Sequence, residues 1–466
     1  MTKFEDIQQV YFIGIGGIGM SALARYFKFH GKEVSGYDKT ETSLTKALQE
    51  EGIKVHYEDR PDLIPKDVQL VVYTPAVPKD HKELLFYQQN GYPVLKRSEV
   101  LGIITESSFN ICVAGTHGKT TITTMVAHLL RHTGYGCNAF LGGIAVNYNS
   151  NYWSDKRNVC VIEADEYDRS FLRLSPDVAV ITAMDADHLD IYRTPEAMEE
   201  AFISFAGRIK SGGLLISKAG LRRGNELKAS SHLEYGVENN KADVYSTNIR
   251  MKQGSYTFDV VFRNETLHNI TLNMGGLHNV ENITAAIGVA RHLGIEEDKI
   301  RNAVAGFKGV KRRFEYIVKE QQGLENGSVI FVDDYAHHPE ELRALIGGAK
   351  KLFEGIKCTV VFQPHLFSRT KDFAEEFAES LDMADEVLLL PIYPARELPV
   401  AGVTSELITG GMKNVHKRIV SKEELLNWVK NDYVPALQQG GGLLITAGAG
   451  DIDALVQPIK SIIENR

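Results

Sequence analysis

The sequence has 466 residues, of which 43% are apolar and 24% charged, with a formal net charge of −8 and a pI near 6.0. This length exceeds one ordinary hydrophobic core and predicts two to four domains. The acidic balance argues against a nucleic-acid-binding surface as the main function, although an anionic substrate needs only a local cationic pocket. No apolar run approaches the roughly 20 residues that span a bilayer, and the polar, acidic N-terminus does not resemble a secretory signal.

The cysteines suggest a reducing environment. The four of them, at positions 112, 137, 160 and 358, show neither C-x-x-C pairing nor metal-ligand spacing. Cys112 and Cys160 fall in predicted buried strands, where a thiol packs as a small apolar group. We therefore expect a cytoplasmic protein that acts on small molecules and binds neither membrane nor nucleic acid.

A glycine-rich turn, G-x-G-x-x-G, stands between the first predicted strand, residues 10–13, and the first predicted helix, residues 21–30. In this pattern Gly14 permits a tight turn, Gly16 lets the backbone approach a diphosphate, and Gly19 lets helix and strand pack closely. The pattern most often binds NAD, but a UDP-sugar satisfies the same geometry. A purely structural turn is the third interpretation.

Two further strand ends add candidate binding residues to this domain. The predicted strand 33–37 ends at Asp38, which could accept a hydrogen bond from a ribose hydroxyl or a uracil N–H. The predicted strand 69–74 ends at Thr74, just before two prolines that form a rigid loop where α/β ligand sites lie. After another short strand the domain is expected to close, with residues 102–108 as a linker.

The most specific motif lies at residues 110–125, which read NICVAGTHGKTTITTM. A short buried strand, a turn reading G-x-x-G-K-T-T and a predicted helix are arranged to hold a nucleotide triphosphate, because backbone N–H groups and the helix dipole point at phosphate oxygens. Lys119 would supply a charge near the β- and γ-phosphates, and Thr120 would ligate Mg²⁺. The alternative is a structural turn with a solvated lysine. The residues predicted to hold the phosphates are Gly115, Thr116, His117, Gly118, Lys119, Thr120 and Thr121.

Carboxylates follow the next two buried strands of the predicted parallel sheet, whose apolar residues lie within 159–162 and 178–182. Acidic side chains just past such strands commonly hold a hard cation that bridges phosphates. Glu163 is interpreted as a metal ligand and His188 as a second, less typical one. The other carboxylates there could be helix caps or solvated loop charges; they are Asp165, Glu166, Asp185 and Asp187.

The rest of the chain extends this sheet and then begins a third α/β unit. Residues 232–273 alternate apolar and polar side chains and predict antiparallel hairpins appended to the parallel sheet. The helix predicted at 275–292 carries Asn279 and Asn282 on one face of its first turn, where they could cap the helix or contact an adenine edge. After residue 313, strands alternate with helices and predict a mostly parallel sheet, and polar residues again follow the strands.

Eight motifs occur together in this order and resemble those of the Mur ligases over essentially the whole chain. They are GIGGIGMS (14–21), AGTHGKTT (114–121), EADEYDRSFL (163–172), DADHLD (185–190), HNVEN (278–282), DDYAHHP (333–339), QPHLFSRT (363–370) and AGAGDID (447–453).

The resemblance implies three α/β domains. These are an N-terminal Rossmann-like domain (1–104) for a UDP-substrate and a central P-loop ATPase-like domain (105–312) with a parallel sheet and appended antiparallel strands. The third is a C-terminal Rossmann-like domain (313–466) that closes over the active site. The implied activity is ATP- and Mg²⁺-dependent ligation of L-alanine to the lactyl carboxylate of UDP-N-acetylmuramate through an acyl phosphate, which serves peptidoglycan precursor synthesis.

The resemblance also assigns roles residue by residue. The catalytic group is Lys119, Glu163 and His188, and the metal ligands are Thr120, Glu163 and His188. ATP would contact the 115–121 turn together with His278, Asn279, Asn282, Arg313 and Asp334. The UDP-substrate would contact Gly14, Gly16, Gly17, Ile18, Gly19, Asp38 and Thr74. The amino-acid and sugar side would be Tyr335, His338, His365 and Arg369.

The chain departs from the family pattern at one position and leaves another feature unassigned. Part of the family has arginine directly after the residue equivalent to His365, whereas Leu366 stands here. No equivalent of the carboxylated lysine of some Mur ligases is assigned in residues 197–210.

Three rival interpretations stay open at this point. A murein-tripeptide ligase of the same family shares most of the motifs. A nicotinamide oxidoreductase would explain the first glycine turn and Asp38 but not the Gly-Lys-Thr turn. A non-catalytic, ATP-switched binding protein would bind ATP without releasing phosphate in response to a second substrate.

Overall fold

The structure is a computed structural model that describes residues 6–185, 189–252, 254–321, 328–395 and 397–465. The chain divides into two compact units. The first unit comprises Met1–Asn248, Phe258–Ile270 and Glu281–Phe307, and the second comprises Ile249–Thr257, Thr271–Val280 and Lys308–Arg466. Within the described ranges, no helix is both long and apolar enough to cross a bilayer. All four cysteines are free and buried.

The N-terminal part of the first unit is a five-stranded sheet in the order β3-β2-β1-β4-β5, with every neighbouring pair parallel. Alternate β1 side chains face two different apolar clusters, one containing Phe12 and the other Tyr11, because successive strand residues point to opposite faces. The strands are β1 (Gln9–Ile13), β2 (Glu33–Tyr37), β3 (Lys54–His56), β4 (Leu70–Tyr73) and β5 (Val94–Lys96). The helices are α1 (Ile18–Phe29), α2 (Ser43–Glu50), α3 (Lys82–Gln89) and α4 (Arg97–Ser107).

The predicted linker at 102–108 is wrong for most of its length. Residues 102–107 are the last turns of α4. Val100, Leu101 and Ile104 are buried at helical spacing and join the apolar cluster of the first unit, so the segment is held as a packed helix.

The central sheet has ten strands in the order β15-β14-β13-β12-β11-β10-β6-β9-β7-β8. The pairs from β13 through β12, β11, β10, β6 and β9 to β7 are parallel. The strands are β6 (Phe109–Ala114), β7 (Asn138–Ala145), β8 (Ser150–Trp153), β9 (Val159–Glu163), β10 (Val178–Ile181), β11 (Leu214–Lys218), β12 (Ser231–Val237), β13 (Val244–Lys252), β14 (Ser255–Phe262) and β15 (Thr266–Leu272). The helices are α5 (Lys119–His132), α6 (Leu189–Tyr192), α7 (Pro195–Ala206), α8 (Leu277–His292) and α9 (Glu297–Gly306).

Two parts of this sheet differ from the sequence-based prediction. The strands β12 and β13 continue the parallel part of the sheet. Only β14 and β15 are reached through connections that are too short for a parallel crossover, so the predicted antiparallel region is limited to them. At the opposite edge, β7 and β8 form an antiparallel pair that the sequence analysis did not predict. Their glycines and asparagines are typical of turns, and here burial of the consecutive residues 138–141 and 151–153 outweighs that local preference.

The second unit contains a six-stranded sheet in the order β16-β17-β21-β18-β19-β20, in which only the β16–β17 pair is antiparallel. The carboxyl ends of β17, β18 and β21 therefore lie at one edge. The strands are β16 (Glu315–Gln321), β17 (Ser328–Asp334), β18 (Cys358–Phe362), β19 (Glu386–Leu389), β20 (Lys417–Ile419) and β21 (Gly442–Ala447). The helices are α10 (Pro339–Leu352), α11 (Phe367–Asp372), α12 (Ala374–Leu381), α13 (Ser405–Gly411), α14 (Lys422–Trp428), α15 (Val434–Gly440) and α16 (Val456–Glu464). The three-sheet α/β architecture agrees with the predicted fold class.

Candidate functional site

The first glycine loop wraps an acidic side chain. Gly14 has a φ of +85°, and the N–H groups of Gly14 and Ile15 both donate to the carbonyl oxygen of Tyr37, at 2.8 and 2.9 Å. The N–H of Gly16 donates to Asp38 Oδ2 at 2.7 Å. A methyl group at Gly16 would lie 2.8 Å from the same oxygen, so only glycine leaves room for this contact. A loop N–H that could meet a phosphate oxygen is thus paired with a carboxylate.

The third glycine of the motif makes room for an arginine. A methyl group at Gly19 would lie 2.4 Å from Arg97 Nη1, so the space beside this glycine holds a guanidinium and not a strand. Arg97 begins α4, and its Nη2 lies 4.0 Å from Asp165 Oδ2. Arg97 was not predicted as a site residue, because a lone arginine after a short strand carries no motif.

A cavity of about 380 Å³ lies between this loop and the carboxylates that follow β9. Its walls come from the glycine loop, the end of β4, the start of α4, and strands β7 and β9. Thr74 and Arg97 therefore face the same space as Glu163. The lining residues that bear on the site are Gly17, Ile18, Gly19, Thr74, Arg97, Gly142, Glu163 and Asp165.

Helix α1 is fixed against β7 and β8, which sets the glycine loop at a defined place on this cavity. The buried side chain of Asn151 donates to the carbonyl oxygen of Ile18 at 2.5 Å and to Ser21 Oγ at 3.1 Å. Its Oδ1 accepts from Arg25 Nη1 at 2.6 Å. Because these groups are buried, losing one partner would leave a polar atom without compensation.

The second glycine loop connects β6 to α5. Gly115 has a φ of +134°, and a methyl group there would lie 2.0 Å from Thr182 Oγ1 and 2.8 Å from the backbone nitrogen of Ala183. Gly118 has a φ of +80° at the N-cap of α5. The hydroxyl of Thr182 donates to the carbonyl oxygen of His117. The segment just after β10 therefore packs against the loop, and the N-terminus of α5 points into the loop.

Lys119 is held inside the loop by a buried carboxylate. Its Nζ donates to the carbonyl oxygen of Gly115 at 2.7 Å and to Glu166 Oε1 at 2.6 Å. The Glu166 side chain is 1% exposed, and among the described residues its Oε2 has no hydrogen-bond partner. Burial raises the pKa of Glu166, and the neighbouring Lys119 opposes that shift. The lysine is thus poised at the loop with a partner that a phosphate could replace.

Oxygen donors suited to Mg²⁺ meet beside this lysine. The hydroxyl of Thr120 donates to Glu163 Oε1 at 2.8 Å, and the N–H of Gly142 donates to Glu163 Oε2 at 2.9 Å. One hydroxyl and one carboxylate fit Mg²⁺, which takes oxygen ligands and retains several waters. The other predicted ligand, His188, lies outside the described residues. Among the residues that are described, no three His, Cys, Asp or Glu side chains cluster as a metal site.

The remaining carboxylates near the loop have local roles. Asp165 Oδ1 accepts from the N–H of Tyr167 at 3.0 Å, which is a turn-capping contact. Glu166 pairs with Lys119, as described above. The interpretation of Asp187 concerns a residue outside the described ranges.

The helix α8 brings one of its two predicted asparagines to the phosphate loop. Asn282 Oδ1 would lie 3.0 Å from a methyl group at Gly118, which places its amide against the loop. The amide of Asn279 donates to the carbonyl oxygen of Gly275 at 2.6 Å. His278, one residue before it, is exposed.

In the second unit, Asp334 joins the chain that precedes β16 to the end of β17. Its Oδ2 accepts from the N–H of Phe314 at 2.6 Å, and its Oδ1 accepts from the N–H of Ala336 at 2.7 Å. Arg312 and Phe314 both have positive φ values, +60° and +48°. Arg313 therefore lies in a segment whose backbone is held by Asp334.

The amino-acid side predicted from the sequence forms a cluster of rings at the ends of β17 and β18. Tyr335 contacts His337 with 5.1 Å between ring centroids, and His337 lies 6.1 Å from His365. His365 stacks on Tyr393 at 5.8 Å. His338 packs instead on Phe373 at 4.9 Å. Tyr393 was not assigned to the site, since no spacing separates it from neighbouring loop residues.

Two polar atoms of this cluster are enclosed without a partner. His365 Nδ1 and Arg369 Nη1 make no hydrogen bond to any described residue. Leu366, between them in sequence, has a φ of +70°, which is uncommon for a bulky side chain. The N–H of Leu366 donates to the carbonyl oxygen of Tyr393 at 3.0 Å and pins this conformation.

A lysine-bearing phosphate loop with threonine and glutamate oxygens, and the first glycine loop on a cavity that Glu163 also lines, define the protein as a nucleotide-using α/β enzyme. Three family models match the chain in order. They are described as "Mur ligase family, catalytic domain" (residues 9–108), "Mur ligase middle domain" (113–290) and "Mur ligase, glutamate ligase domain" (312–450).

Relatives and solved structures agree with these models. The chain is 47% identical over 476 residues to UDP-N-acetylmuramate–L-alanine ligase of Cytophaga hutchinsonii, covering 100% of this chain and 98% of the relative. It is 46% identical to the enzyme of the same name from Porphyromonas gingivalis, covering 98% and 99%. The crystal structure of UDP-N-acetylmuramate-alanine ligase MurC from Thermotoga maritima matches with a TM-score of 0.81 at 28% identity, covering 98% of both chains. The chain belongs to the Mur ligase family, which confirms the resemblance and the prediction of an ATP-dependent ligase.

Proposed function

We propose that this protein joins L-alanine to the lactyl carboxylate of UDP-N-acetylmuramate at the expense of ATP, with UDP-N-acetylmuramoyl-L-alanine, ADP and phosphate as products. The observation that carries the proposal is the full-length identity of 44 to 47% to relatives that bear this enzyme's name. A murein peptide ligase from Psychrobacter arcticus shares only the fold, with a TM-score of 0.65 at 22% identity.

The UDP-substrate is proposed to lie in the 380 Å³ cavity, with its diphosphate on the loop from Gly14 to Gly19. Support comes from the N–H of Gly16, which donates to Asp38 at 2.7 Å. A phosphate oxygen could accept the same hydrogen bond in place of Asp38. Arg97 adds a cation on the same wall. Arg97 lines the cavity together with the first glycine loop and with Glu163, the proposed metal ligand. This position suits an anionic substrate whose reactive end must reach Glu163.

ATP is proposed to bind at residues 115–121, with Asn282 beside the loop and with Arg313, Asp334, His278 and Asn279 as further contacts. Lys119 would leave Glu166 for the phosphates, because a charge-assisted contact can replace the one it makes now. Thr120 and Glu163 are the described residues that would hold Mg²⁺, together with His188. When bound, the ion would neutralise charge on the phosphates.

The chemistry follows from this placement. The lactyl carboxylate oxygen attacks the γ-phosphorus, ADP leaves with the bridging electron pair, and an acyl phosphate results. Such a transfer depends on positioning and charge neutralisation, which Lys119 supplies at the phosphate loop. L-alanine, proposed to bind at Tyr335, His338, His365 and Arg369, then attacks the acyl carbon, and phosphate leaves.

Phosphate release with UDP-N-acetylmuramate, L-alanine and ATP, each omitted in turn, tests the proposal. Release that requires all three is expected. Unchanged or faster release when a murein tripeptide replaces L-alanine would identify the tripeptide ligase instead. Oxidation or reduction of a nicotinamide, followed at 340 nm, would favour an oxidoreductase, and ATP binding without release would favour a switch.

We also propose the domain limits 1–104, 105–312 and 313–466, and a cytoplasmic location. The domain limits are supported by the separate sheets, of five, ten and six strands. Four free thiols, all buried, suit a reducing compartment. Limited proteolysis tests the second limit, with cleavage expected near residue 312. The first limit falls within the packed helix α4, where no cleavage is expected.

A further inference from the structure

The ring cluster of the second unit contains an imidazole whose tautomer the structure defines. His337 Nδ1 lies 2.9 Å from the carbonyl oxygen of Tyr335 and 3.4 Å from Glu341 Oε2. A carbonyl oxygen can only accept, so Nδ1 carries the hydrogen. In the neutral ring, Nε2 is then left with its lone pair.

The surroundings of His337 keep this ring uncharged at neutral pH. Burial lowers the pKa of His337, and the positive Arg369 and neighbouring His338 lower it further. Glu341 and the Tyr335 carbonyl act in the opposite sense without reversing the shift. His365, on the loop after β18, faces the ring at 6.1 Å.

The cluster combines a base with a cation, Arg369, one of whose nitrogens has no hydrogen-bond partner in the described part of the chain. Arg369 Nη1 and His365 Nδ1 are enclosed, and neither has a hydrogen-bond partner among the residues that the structure describes. An α-amino acid carries a carboxylate and an ammonium a few ångströms apart. A guanidinium with one enclosed nitrogen that pairs with no described residue, in the same cluster as a neutral imidazole, therefore matches both ends of such a zwitterion.

We propose that His337 is the general base that deprotonates the incoming amino acid. The proposal rests on the ligation proposed above, whose nucleophile is an amine that enters as an ammonium. One ammonium proton moves to Nε2 of His337. The freed nitrogen lone pair forms the C–N bond, the C–O bond to phosphate breaks with its electrons on phosphate, and the second nitrogen proton leaves with that phosphate.

His337→Asn isolates this role. The asparagine amide can still donate to the Tyr335 carbonyl in place of Nδ1–H, but the variant has no basic nitrogen at the Nε2 position. We expect kcat with L-alanine to fall about 10²- to 10³-fold, with the KM for ATP and for UDP-N-acetylmuramate unchanged. His416→Asn, at an exposed position of the same unit, is the matched control and should behave as wild type.

Hydroxylamine separates base catalysis from a structural effect. It is uncharged at pH 7 and attacks an acyl phosphate without prior deprotonation. We expect hydroxylamine-dependent phosphate release in His337→Asn to stay within about twofold of wild type while turnover with L-alanine is lost. His337→Gln, which fills the ring's volume differently, should give the same split if the asparagine variant folds poorly.

The outcomes are distinct. Normal L-alanine turnover in both variants, or equal losses with both amines, overturns the assignment of the base while leaving the ligation intact. Absence of phosphate release from the wild-type protein with either amine overturns the ligation, and the base with it. Loss confined to L-alanine supports His337.

Discussion

The two glycine loops of the first unit differ in where their charged side chains come from. Each joins a parallel strand to a helix, and each contacts a carboxylate. In the first loop Asp38 accepts from a backbone N–H, and the nearby cation, Arg97, comes from another helix. In the second, Lys119 belongs to the loop itself and pairs with the buried Glu166. Under the proposed function, the first loop binds substrate with a cation from another helix, and the second keeps its own cation at the transferring phosphate.

Lys119→Ala should have the largest effect. Removing the loop's own cation should lower turnover by about 10³-fold, because the charge on the transferring phosphate loses its main neutralising side chain. The fold should persist, since burial already raises the pKa of Glu166 and lets it take up a proton when its partner is gone. Phosphate release and thermal unfolding measure the two effects.

A double variant provides the control for that prediction. Lys119→Ala with Glu166→Gln removes both charges of the pair, so it should regain any lost thermal stability without regaining turnover. Wild-type turnover in either variant would remove the distinction between the two loops.

Arg97→Ala tests the cation that helix α4 places beside the first glycine loop. We expect the KM for UDP-N-acetylmuramate to rise about 10- to 100-fold, the equivalent of one charge-assisted contact, while the KM for ATP stays constant. Arg173→Ala is a matched control, because Arg173 pairs at 3.4 Å with Glu99 on the same helix α4 and does not line the 380 Å³ cavity. An equal rise in both KM values would show that Arg97 does not act on one loop alone.

Alanine at one glycine of each loop should separate stability from binding. Gly115→Ala places a methyl group, at a φ of +134°, against the backbone just after β10 and should lower the free energy of unfolding by about 3 kcal/mol. Gly19→Ala meets only the end of a flexible arginine and lies in a helix. It should raise the KM for the UDP-substrate and leave stability unchanged or slightly higher. Equal destabilisation in urea titrations would contradict this.

The smallest effect on activity is expected for the glutamate buried in the N-terminal sheet domain. Glu83 accepts from the Tyr11 hydroxyl at 2.7 Å, and burial raises its pKa to about 7. Between its ordinary pKa and 7 the folded protein holds a proton that the unfolded chain has lost, so stability falls as pH rises through this window.

Glu83→Gln should remove this slope, worth about 2 kcal/mol between pH 5 and 7.5, with little change in turnover. His56 and His81, whose pKa values burial lowers, give a slope of the opposite sign that should then become visible. Glu106→Gln, at an exposed position of helix α4, is the control. Denaturant titrations across pH measure the slope, and an unchanged slope would show that Glu83 is ionised in the fold.

Local sequence was enough to predict most regular elements because their signals are short-range. The strand β2 has the predicted limits, and α5 follows the phosphate loop as expected. The prediction failed where a segment is stabilised by distant partners. Strands β7 and β8 contain turn-forming residues, and the end of α4 was interpreted as a linker, yet both pack on the core of the first unit.

The sequence by itself determined the class of protein, because a glycine turn followed by lysine and threonine has few uses other than binding phosphates, and because eight motifs stand in family order. Only the tertiary structure decided which other groups meet them. Arg97 comes to Gly19, Glu166 to Lys119 and Glu341 to His337. Two of these pairs join residues 78 or 47 positions apart in the chain, a relation set by strand order. The third pair, His337 and Glu341, is close in sequence. The proposed role of His337 depends on the hydrogen bond that fixes its tautomer.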